Sequence, residues 1–569
     1  MPEPLGSFCL VLHGHLPYVL HHGTWPHGED WLYEAAAETY LPILAMVDEC
    51  VFLNATPKVT MGLTPVLLEQ LCHEHFKQGF EHYLHDRIER ARADRADFEQ
   101  MDNGHLAYLA TYWEQWYTKL LAQFEAMGRD IPKAYAARVA DGYLQILTSN
   151  ATHGYMPLLL EDSSNRAQIR AGVASSKRVL GLQPTGMWLP ECAYRPGGAW
   201  DPPIDWGRRE HRIGIEHLVA DEGITHFFVE HHLIEQSHSE QVYNAGRWWK
   251  VNWDEARKYP SRGWRSVNEP HGVNSDGTGL ARVSAFARDP QVCEQVWSGM
   301  IGYPAAGEYL EFHKKWGPRR GLRYWKVTGP KADLGDKHLY YPDEVTHKLH
   351  EHAQHFCDFV RHRLRQHRDR TGRHGVVTAC FDAELFGHWW FEGPRFLRDV
   401  LLTLNADPEV DLCTAAEYLE RHPMDKIVAL PEGSWGEQGD HRVWTNDQVN
   451  WMWEIEYRCE GVWGRLTNQL PWKTNRQVRD LMEKAGRELL LLQASDWPFV
   501  IRRGQAIDYG TKRFMQHVSR FESLTDIAEK VAANTAYLGA LTDVEKHEIQ
   551  DADIHDVIFP QIDLNWWNM

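Results

Sequence analysis

Short apolar runs alternate with helical patterns through about the first 415 of the 569 residues, and this alternation constrains the fold most. Seven of these runs have the length and composition of strands that are buried on both faces. They lie at residues 7–12, 59–63, 143–148, 185–189, 224–229, 281–286 and 375–381, and residues 410–414 add a further candidate. Strands that alternate with helices predict a parallel α/β sheet, either closed into a barrel or open and doubly wound. Seven clear strands with polar residues at their ends favour a (β/α)7 barrel.

Two parts of the chain depart from this pattern. Residues 201–275 are rich in Trp and Gly and too long for a simple loop, which predicts an inserted domain or lid between barrel segments 1–200 and 276–415. Residues 235–275 would form the lid itself. From residue 416 to residue 569 the apolar spacing is helical, which predicts a C-terminal helical domain.

Composition excludes several partner classes. With 60 Lys and Arg against 79 Asp and Glu, the net charge of −19 disfavours nucleic acid and anionic membranes, but not a neutral polymer. The 25 Trp, 22 Tyr and 20 Phe are enough to fill a large core and also line a carbohydrate groove. Nine scattered cysteines without a CxxC pair predict reduced thiols in a cytoplasmic protein. We expect neither a signal peptide nor a transmembrane helix.

Two acidic residues follow buried strands directly and have aromatic neighbours. Glu191 comes after the run at 185–189, and Trp188 precedes it by three residues; Asp382 follows the run at 375–381. Cleavage of a glycosidic bond uses such a pair, in which one carboxylate attacks or activates water and the other protonates the leaving oxygen. A sugar ring would stack on Trp188. Glu384 shares the strand parity of Asp382 and is the alternative acid, while Glu191 alone would also fit a helix cap.

Other polar side chains lie at or near the same strand ends. They are His13, His15, His153, His388 and Arg288. The histidines have three interpretations: they bind sugar hydroxyls, they support the site structurally, or His13 and His15 hold zinc with a carboxylate. Sugar binding is favoured, so the sequence predicts no metal and no cofactor.

Three long segments resemble glycoside hydrolase family 57, and within it the branching members most closely. They are residues 13–18 (His-Gly-His-Leu-Pro-Tyr), residues 188–194 (Trp-Leu-Pro-Glu-Cys-Ala-Tyr) and residues 381–394 (Phe-Asp-Ala-Glu-Leu-Phe-Gly-His-Trp-Trp-Phe-Glu-Gly-Pro). Shorter similar blocks at 148–154, 334–336, 434–436 and 495–499 extend the resemblance over nearly the whole chain.

The resemblance implies a (β/α)7 barrel with a small inserted helical domain and a helical C-terminal domain. It also implies a retaining double displacement that cleaves α-1,4 bonds and forms α-1,6 bonds in glycogen- or amylose-type glucans. A 4-α-glucanotransferase or an α-amylase on the same scaffold is the alternative, and a zinc-dependent polysaccharide deacetylase or mannosidase is less favoured.

The resemblance also assigns roles by position. Glu191 would be the nucleophile and Asp382 the acid/base. Sugar-binding residues would be His13, His15, His153, His388 and Asp440, and the glucan groove would contain Trp297, Trp435 and Trp444. The alternative for Trp435 and Trp444 is that they pack the helical domain onto the barrel.

Overall fold

The computed structural model describes residues 3–207, 210–244, 247–250, 265–317 and 321–569. The strands are β1 Gly6–Gly14, β2 Val59–Leu63, β3 Leu144–Leu147, β4 Gly186–Met187, β5 Gly198–Trp200, β6 Glu210–Arg212, β7 His226–Val229, β8 His238–Asn244, β9 Arg247–Lys250, β10 His271–Val273, β11 Val283–Ala287, β12 Gly375–Asp382, β13 Val410–Leu412 and β14 Lys426–Ala429. All eight strands predicted from the sequence are present.

The helices are also numbered in chain order. They are α1 Glu29–Ala35, α2 Leu41–Phe52, α3 Pro65–Cys72, α4 Glu74–Gln100, α5 Gly104–Ala126, α6 Ile131–Ala140, α7 Asp162–Leu180, α8 Ile215–Asp221, α9 His231–Glu235, α10 Pro290–Trp297, α11 Pro342–Thr371, α12 Gly393–Asn405, α13 Ala415–Arg421, α14 Asn450–Gln469, α15 Arg476–Leu492, α16 Asp496–Arg503, α17 Ile507–Ala533 and α18 Asp543–His555. A π-helical turn, Ala36–Tyr40, joins α1 to α2.

Seven parallel strands form two runs of neighbours. The first run is β12-β1-β2-β3, with β13 beside the start of β1, and the second is β4-β7-β11. A parallel bridge between Thr148 and Met187 connects the end of β3 to β4. Nearly every residue of these strands is buried, as their continuous apolar sequences predict.

The outer strands of the two runs also meet. The backbone N–H of Asp289, just past β11, donates to the carbonyl of Thr378 in β12 at 2.9 Å. Asn268 lies in the same gap, where its side chain donates to Asp289 at 3.1 Å and to the Val376 carbonyl at 3.3 Å. The ends of β11 and β12 are therefore held together.

The predicted insertion at residues 201–275 needs correction. It contains β7, a fully buried strand of His226 and three apolar residues, which pairs with β4 and β11. Of the described remainder, β8, β9 and β10 extend the second sheet, and α8 and α9 are short, so a helical domain is not what these residues form. Residues 208–209, 245–246 and 251–264 of the predicted insertion and lid lie outside the described residues.

A long helical excursion lies elsewhere, between β2 and β3. Helices α4 and α5 form this excursion, and helical apolar spacing runs through both. The break occurs at Asp102, where φ is +53°, and at Asn103, whose side chain caps α5 by accepting from the Leu106 N–H at 3.1 Å.

Helices α14 to α18 form the C-terminal helical domain. Its apolar residues share one buried cluster with the first run of strands, which includes Leu10 of β1, Leu489 of α15 and Phe521 of α17. This shared core brings α16 to the ends of β1 and β4. Among the described helices, none has both the length and the apolarity to cross a membrane.

Candidate active site

The backbone at Glu191 is held in an unusual conformation. After β4 the chain forms a short 3-10 turn, Pro190–Cys192, in which Glu191 has φ +60° and Cys192 has φ +49°. Non-glycine residues rarely adopt the left-handed region, and such strain concentrates at functional sites. Trp435 fixes the residue twice, because its backbone N–H donates to the Glu191 carbonyl at 3.1 Å and its indole N–H donates to Glu191 Oε2 at 2.6 Å.

Burial sets the charge of this carboxyl group. Only 16% of the Glu191 side chain is exposed, and burial raises its pKa to about 7. The hydrogen bond from Trp435 opposes that shift, and the positive charges of His15 and Arg503 also lower the pKa, whereas the carboxylate of Asp496 raises it. Near neutral pH a substantial fraction of Glu191 is therefore an anion.

Asp382 is the last residue of β12, directly across from His13 on β1. It lies in the wall of a cleft of about 800 Å³. Burial raises the pKa of Asp382 well above its usual range, and the carboxylates of Glu384 and Glu191 raise it further. Because charge–charge effects fall with distance, these shifts mark Glu191 and Asp382 as electrostatic neighbours.

Glu384 is oriented differently from Asp382. Its Oε1 accepts hydrogen bonds from the Tyr40 hydroxyl and from the His15 backbone N–H, the latter at 3.1 Å. Asp382 has a place in the cleft wall, whereas Glu384 is among the buried residues behind it. Of the two candidate acids, Asp382 therefore has the position from which it can meet a substrate.

Three predicted histidines stack behind the carboxylates. The rings of His15 and His153 have centroids 4.0 Å apart, and His13 Nε2 lies 3.1 Å from His153 Nε2. His153 Nδ1 lies 2.8 Å from the Ser495 hydroxyl and 3.9 Å from Glu191 Oε1. Burial lowers the pKa of His13 and His153 well below the usual range, so both rings are neutral.

This histidine group contains the atoms that a zinc ion would need. Ligand atoms of His15, His153 and Asp496 lie within 4.8 Å of one another. Both nitrogens of His15 already have partners, Thr64 at 3.1 Å and Asp496 at 3.0 Å, and both nitrogens of His153 are also engaged. A metal would have to replace this hydrogen-bond network, so the arrangement fits the support of Glu191 better than zinc chemistry.

Arg288 and two tryptophans form one wall of the site. The guanidinium of Arg288 lies 5.9 Å from the Trp435 ring centre and pairs with Glu230 at 2.7 Å. Trp297 meets Trp435 edge to face, with centroids 6.4 Å apart, and 38% of Trp297 is exposed along the cleft. Of these three residues, Trp297 lines the cleft itself, and sugar contacts by Arg288, Trp297 and Trp435 stay a prediction.

Other predicted contacts need correction or lie further out. Trp188 and Trp444 are 0% and 1% exposed, because Trp188 stacks on His13 and Trp444 on Tyr155, so neither ring has a free face for a sugar. Asp440 is half exposed and forms a two-oxygen ion pair with Arg442, only two residues further along the chain. Like Glu191 and Arg288, it is absent from the residues that line the cleft.

His388 lies beside the opposite wall of the cleft. Its Nδ1 bonds to Glu38 at 2.8 Å, and its ring meets Phe312 edge to face at 5.1 Å. Phe312 and Trp389 line the cleft with centroids 4.4 Å apart, and Trp389 is 49% exposed. Sequence reasoning did not assign these two aromatic side chains to the site, although the Trp389–Trp390 pair was a signal for them.

Sequence reasoning also missed the contribution of helix α16. Asp496 bonds to His15, and Phe499 and Arg503 line the cleft opposite Asp382. The block Ser-Asp-Trp-Pro-Phe at residues 495–499 was the available signal. The site therefore includes residues from both the strand ends and the C-terminal helical domain.

Comparison with known proteins gives a consistent family. The profile of glycosyl hydrolase family 57 matches residues 9–431, and that of the 1,4-α-glucan branching enzyme C-terminal domain matches residues 458–567. A 1,4-α-glucan branching enzyme of Thermococcus kodakarensis is 37% identical over 525 residues, which is 92% of this chain and 73% of the relative.

Solved structures agree with the sequence relatives. The crystal structure of the T. kodakarensis enzyme superposes with a TM-score of 0.86 at 34% identity and covers 99% of this chain and 96% of its own. The branching enzyme of Pyrococcus horikoshii gives 0.86 at 33% identity, with 99% and 97% covered. The α-amylase AmyC of Thermotoga maritima gives 0.79 at 26% identity, with 99% of each chain covered. The family profile, the relatives and the site geometry together show that the chain belongs to glycosyl hydrolase family 57.

Proposed function

We propose that the protein is a 1,4-α-glucan branching enzyme. The observation that carries this proposal is the pair of buried carboxyl groups, Glu191 and Asp382: burial raises the pKa of both, the Glu191 carboxylate raises that of Asp382 further, and Asp382 lines an aromatic cleft. Two carboxyl groups with unequal proton affinity are what acid/base-assisted glycoside cleavage requires. Relatives named branching enzymes over nearly the full chain support this choice of reaction.

In the first step, Glu191 attacks C1 of an α-1,4-linked glucosyl unit. Asp382 donates its proton to the departing 4-oxygen, so a covalent glucosyl–Glu191 ester forms and a shortened chain leaves. In the second step, Asp382 removes the proton from a 6-hydroxyl of another glucan, which attacks C1 and releases Glu191. Two inversions retain the α configuration and form an α-1,6 bond.

The aromatic walls give a physical basis for transfer to sugar. Trp297, Trp435, Phe312 and Trp389 offer ring faces on which glucose units stack. A bound glucan displaces water from the cleft, which favours the 6-hydroxyl over hydrolysis. We assign Asp440, Trp188 and Trp444 no sugar contact, and His13, His15 and His153 the role of orienting Glu191.

We further infer that the strands close into a (β/α)7 barrel. The bridge from Thr148 to Met187 and the bond from the Asp289 N–H to Thr378 support closure of β12-β1-β2-β3-β4-β7-β11 into a ring. We infer that residues 1–200 and 276–415, together with β7, form this barrel, and that residues 416–569 form the helical domain. Nine unpaired thiols support a reducing cytoplasmic location.

The linkages in the product test this function. Purified protein is incubated with amylose, and the products are measured by iodine absorbance, reducing-end assay and proton NMR. We expect falling iodine absorbance and a growing α-1,6 anomeric signal with few new reducing ends, and loss of both changes in Glu191→Gln and Asp382→Asn. Reducing ends that grow without α-1,6 linkages would identify an α-amylase instead, and redistributed α-1,4 chains a 4-α-glucanotransferase.

A further inference from the structure

A small cluster of metal-ligating side chains lies outside the cleft. His21 follows β1, Glu29 is the first residue of α1, and His75 lies in the first turn of α4. Ligand atoms of these three side chains lie within 4.8 Å of one another, and each residue is partly exposed. We name His21, Glu29 and His75 the turn cluster. It joins three separate segments, and no step of the proposed reaction uses it.

The contacts within the turn cluster leave one imidazole available. Glu29 Oε1 accepts from the His21 backbone N–H at 2.9 Å and lies 2.8 Å from His75 Nε2. The ring of His21 lies 4.2 Å from that of His75 and 5.7 Å from that of His73. In the part of the chain that the structure describes, neither ring nitrogen of His21 has a hydrogen-bond partner. Contacts of one histidine ring with other histidine rings contribute little to the free energy of folding. A ligand that several of these rings bind together would make the arrangement favourable.

The charges around His21 favour a cation. Burial lowers its pKa, and the neighbouring imidazoles of His75 and His73 lower it further, while Glu29 opposes them. An imidazole without a proton on one nitrogen offers the lone pair that a metal ligand needs. The groups that act on His21 include no Arg and no Lys, so nothing in them repels a divalent ion.

A second close group provides a useful contrast. Glu488, His517 and Asp556 also have ligand atoms within 4.8 Å of one another. However, Arg520 pairs with Asp556, and Arg513 lies 3.0 Å from His517, so two guanidinium groups already neutralise this fully buried group. A further cation would meet like charges there, which leaves the turn cluster as the better site.

We propose that His21, Glu29 and His75 bind a divalent transition metal, for which zinc is the best match. Zinc accepts imidazole nitrogen and carboxylate oxygen at about 2.0–2.2 Å, which places tetrahedral ligands about 3.4 Å apart. The present separations require only small side-chain movements. The fourth ligand is water, because His73 is not among the residues whose ligand atoms lie within 4.8 Å of one another.

Binding at this position has a structural consequence. The ion connects the turn after β1, the start of α1 and the start of α4, so it adds contacts that exist only in the folded chain. A ligand that binds the folded state alone raises the melting temperature as its concentration rises. This effect is independent of the branching reaction.

Zinc titration of the metal-stripped full-length protein tests the proposal. Calorimetry and thermal unfolding are compared for wild type, His21→Ala, His75→Ala and Glu29→Gln, with His350→Ala, an exposed histidine on α11, as the matched control. We expect one zinc per chain, and a weakening of more than about tenfold in the cluster variants, because loss of even an outer partner weakens metal binding by about 10- to 100-fold. Zinc should raise the melting temperature of wild type and His350→Ala only.

The visible spectrum of bound Co²⁺ provides a second measurement, because a site with two imidazoles and a carboxylate gives the intense bands of four-coordinate cobalt. Circular dichroism and branching activity of each variant confirm that it has folded. Unchanged zinc binding in both His21→Ala and His75→Ala would overturn the proposal, as would a wild-type protein that binds no zinc in the titration. Neither result would bear on the branching reaction.

Discussion

The two carboxyl groups differ in what surrounds them, and this difference assigns their roles. Glu191 receives a hydrogen bond from the Trp435 indole, which favours its anion, whereas Asp382 has only the opposing charge of Arg288 against burial and two neighbouring carboxylates. This difference agrees with the proposed roles, in which Asp382 holds the proton that the first step requires.

Replacement of Trp435 by Phe should shift the pH dependence of branching. Glu191 must be an anion to attack, so the rate falls as the pH drops through about 7. Loss of the indole N–H raises the pKa of Glu191 by about one unit, because one charge-assisted hydrogen bond contributes about that much. The pH at which the rate falls to half on the acidic side of the profile should therefore rise by about one unit. The pH profile of kcat is the measurement.

Trp444→Phe is the matched control for this change. The indole nitrogen of Trp444 has no hydrogen-bond partner in the described structure, so its loss should leave the midpoint of the acid limb unchanged. An equal loss of rate at every pH in Trp435→Phe would mean that Trp435 acts only through sugar contact.

Glu191→Gln should stabilise the protein at alkaline pH. The folded-state pKa of about 7 lies above the ordinary value near 4.5, so the buried carboxylate destabilises the fold increasingly as the pH rises towards 7. Glutamine retains an oxygen for Trp435 but carries no charge. We expect a gain on the order of 2 kcal/mol at pH 8 and little gain at pH 5, measured by urea unfolding. The exposed Glu454→Gln should show no such pH dependence; an identical response in both variants would contradict the assignment.

At the scale of elements, the site depends on how strands and helices begin and end. Asp289 illustrates this dependence, because it follows β11, caps α10 and accepts from Arg363 at 3.0 Å. Its backbone N–H also bonds to β12. One residue thus positions Arg288 before it and Trp297 at the far end of the helix.

Asp289→Ala should therefore destabilise the protein by about 3–5 kcal/mol, because it removes a helix cap and leaves the mostly buried Arg363 without its carboxylate. Asp289→Asn retains a side-chain oxygen that can cap α10, so this variant should lose less stability than Asp289→Ala. Thermal and urea unfolding measure both values. A loss below about 0.5 kcal/mol in Asp289→Ala would show that this junction does not hold the strand end.

The sequence predicted the strands well and the connections between them poorly. Buried parallel strands carry their own signal, since runs such as residues 375–381 are apolar throughout. The strands β8, β9 and β10 carry mixed polar sequences whose pairing depends on distant partners, so local composition does not identify them. The break between α4 and α5 depends on a left-handed Asp102, which helical periodicity cannot reveal.

At the scale of the whole molecule, the C-terminal domain completes the site and stabilises it. Asp496 and Arg503 act on Glu191 from α16, and no spacing rule connects residue 496 with residue 191. The sequence also could not show that Trp188 and Trp444 are buried. Their aromatic side chains suit a sugar, but their burial follows from packing in three dimensions. Strand ends could be predicted, while contributions from a distant domain required the fold.

A buried ionic contact ties this domain to the loop after β1. Asp556 accepts from His22 Nε2 at 2.8 Å and pairs with Arg520 of α17, and it is 1% exposed. Asp556→Ala removes the buried carboxylate of Arg520 and leaves it only Asp551 at 3.2 Å, so it should cost about 3–5 kcal/mol of stability, measured by thermal unfolding followed by Trp fluorescence.

Asp553→Ala is the control for this change. Asp553 is half exposed and pairs with Lys484 at the surface, so its loss should cost less than about 1 kcal/mol. Equal losses of stability in Asp556→Ala and Asp553→Ala would show that the buried contact does not hold the helical domain to the loop after β1.

Covalent trapping tests the central claim most directly. Asp382→Asn is mixed with α-maltosyl fluoride, whose fluoride leaves without a proton donor, while the missing base slows release of the sugar. Mass spectrometry of the digested protein should then find a maltosyl ester on Glu191 and on no other residue. A label on Glu384 or Asp440, or no label while the wild-type protein consumes the same fluoride, would contradict the assignment of Glu191 and Asp382.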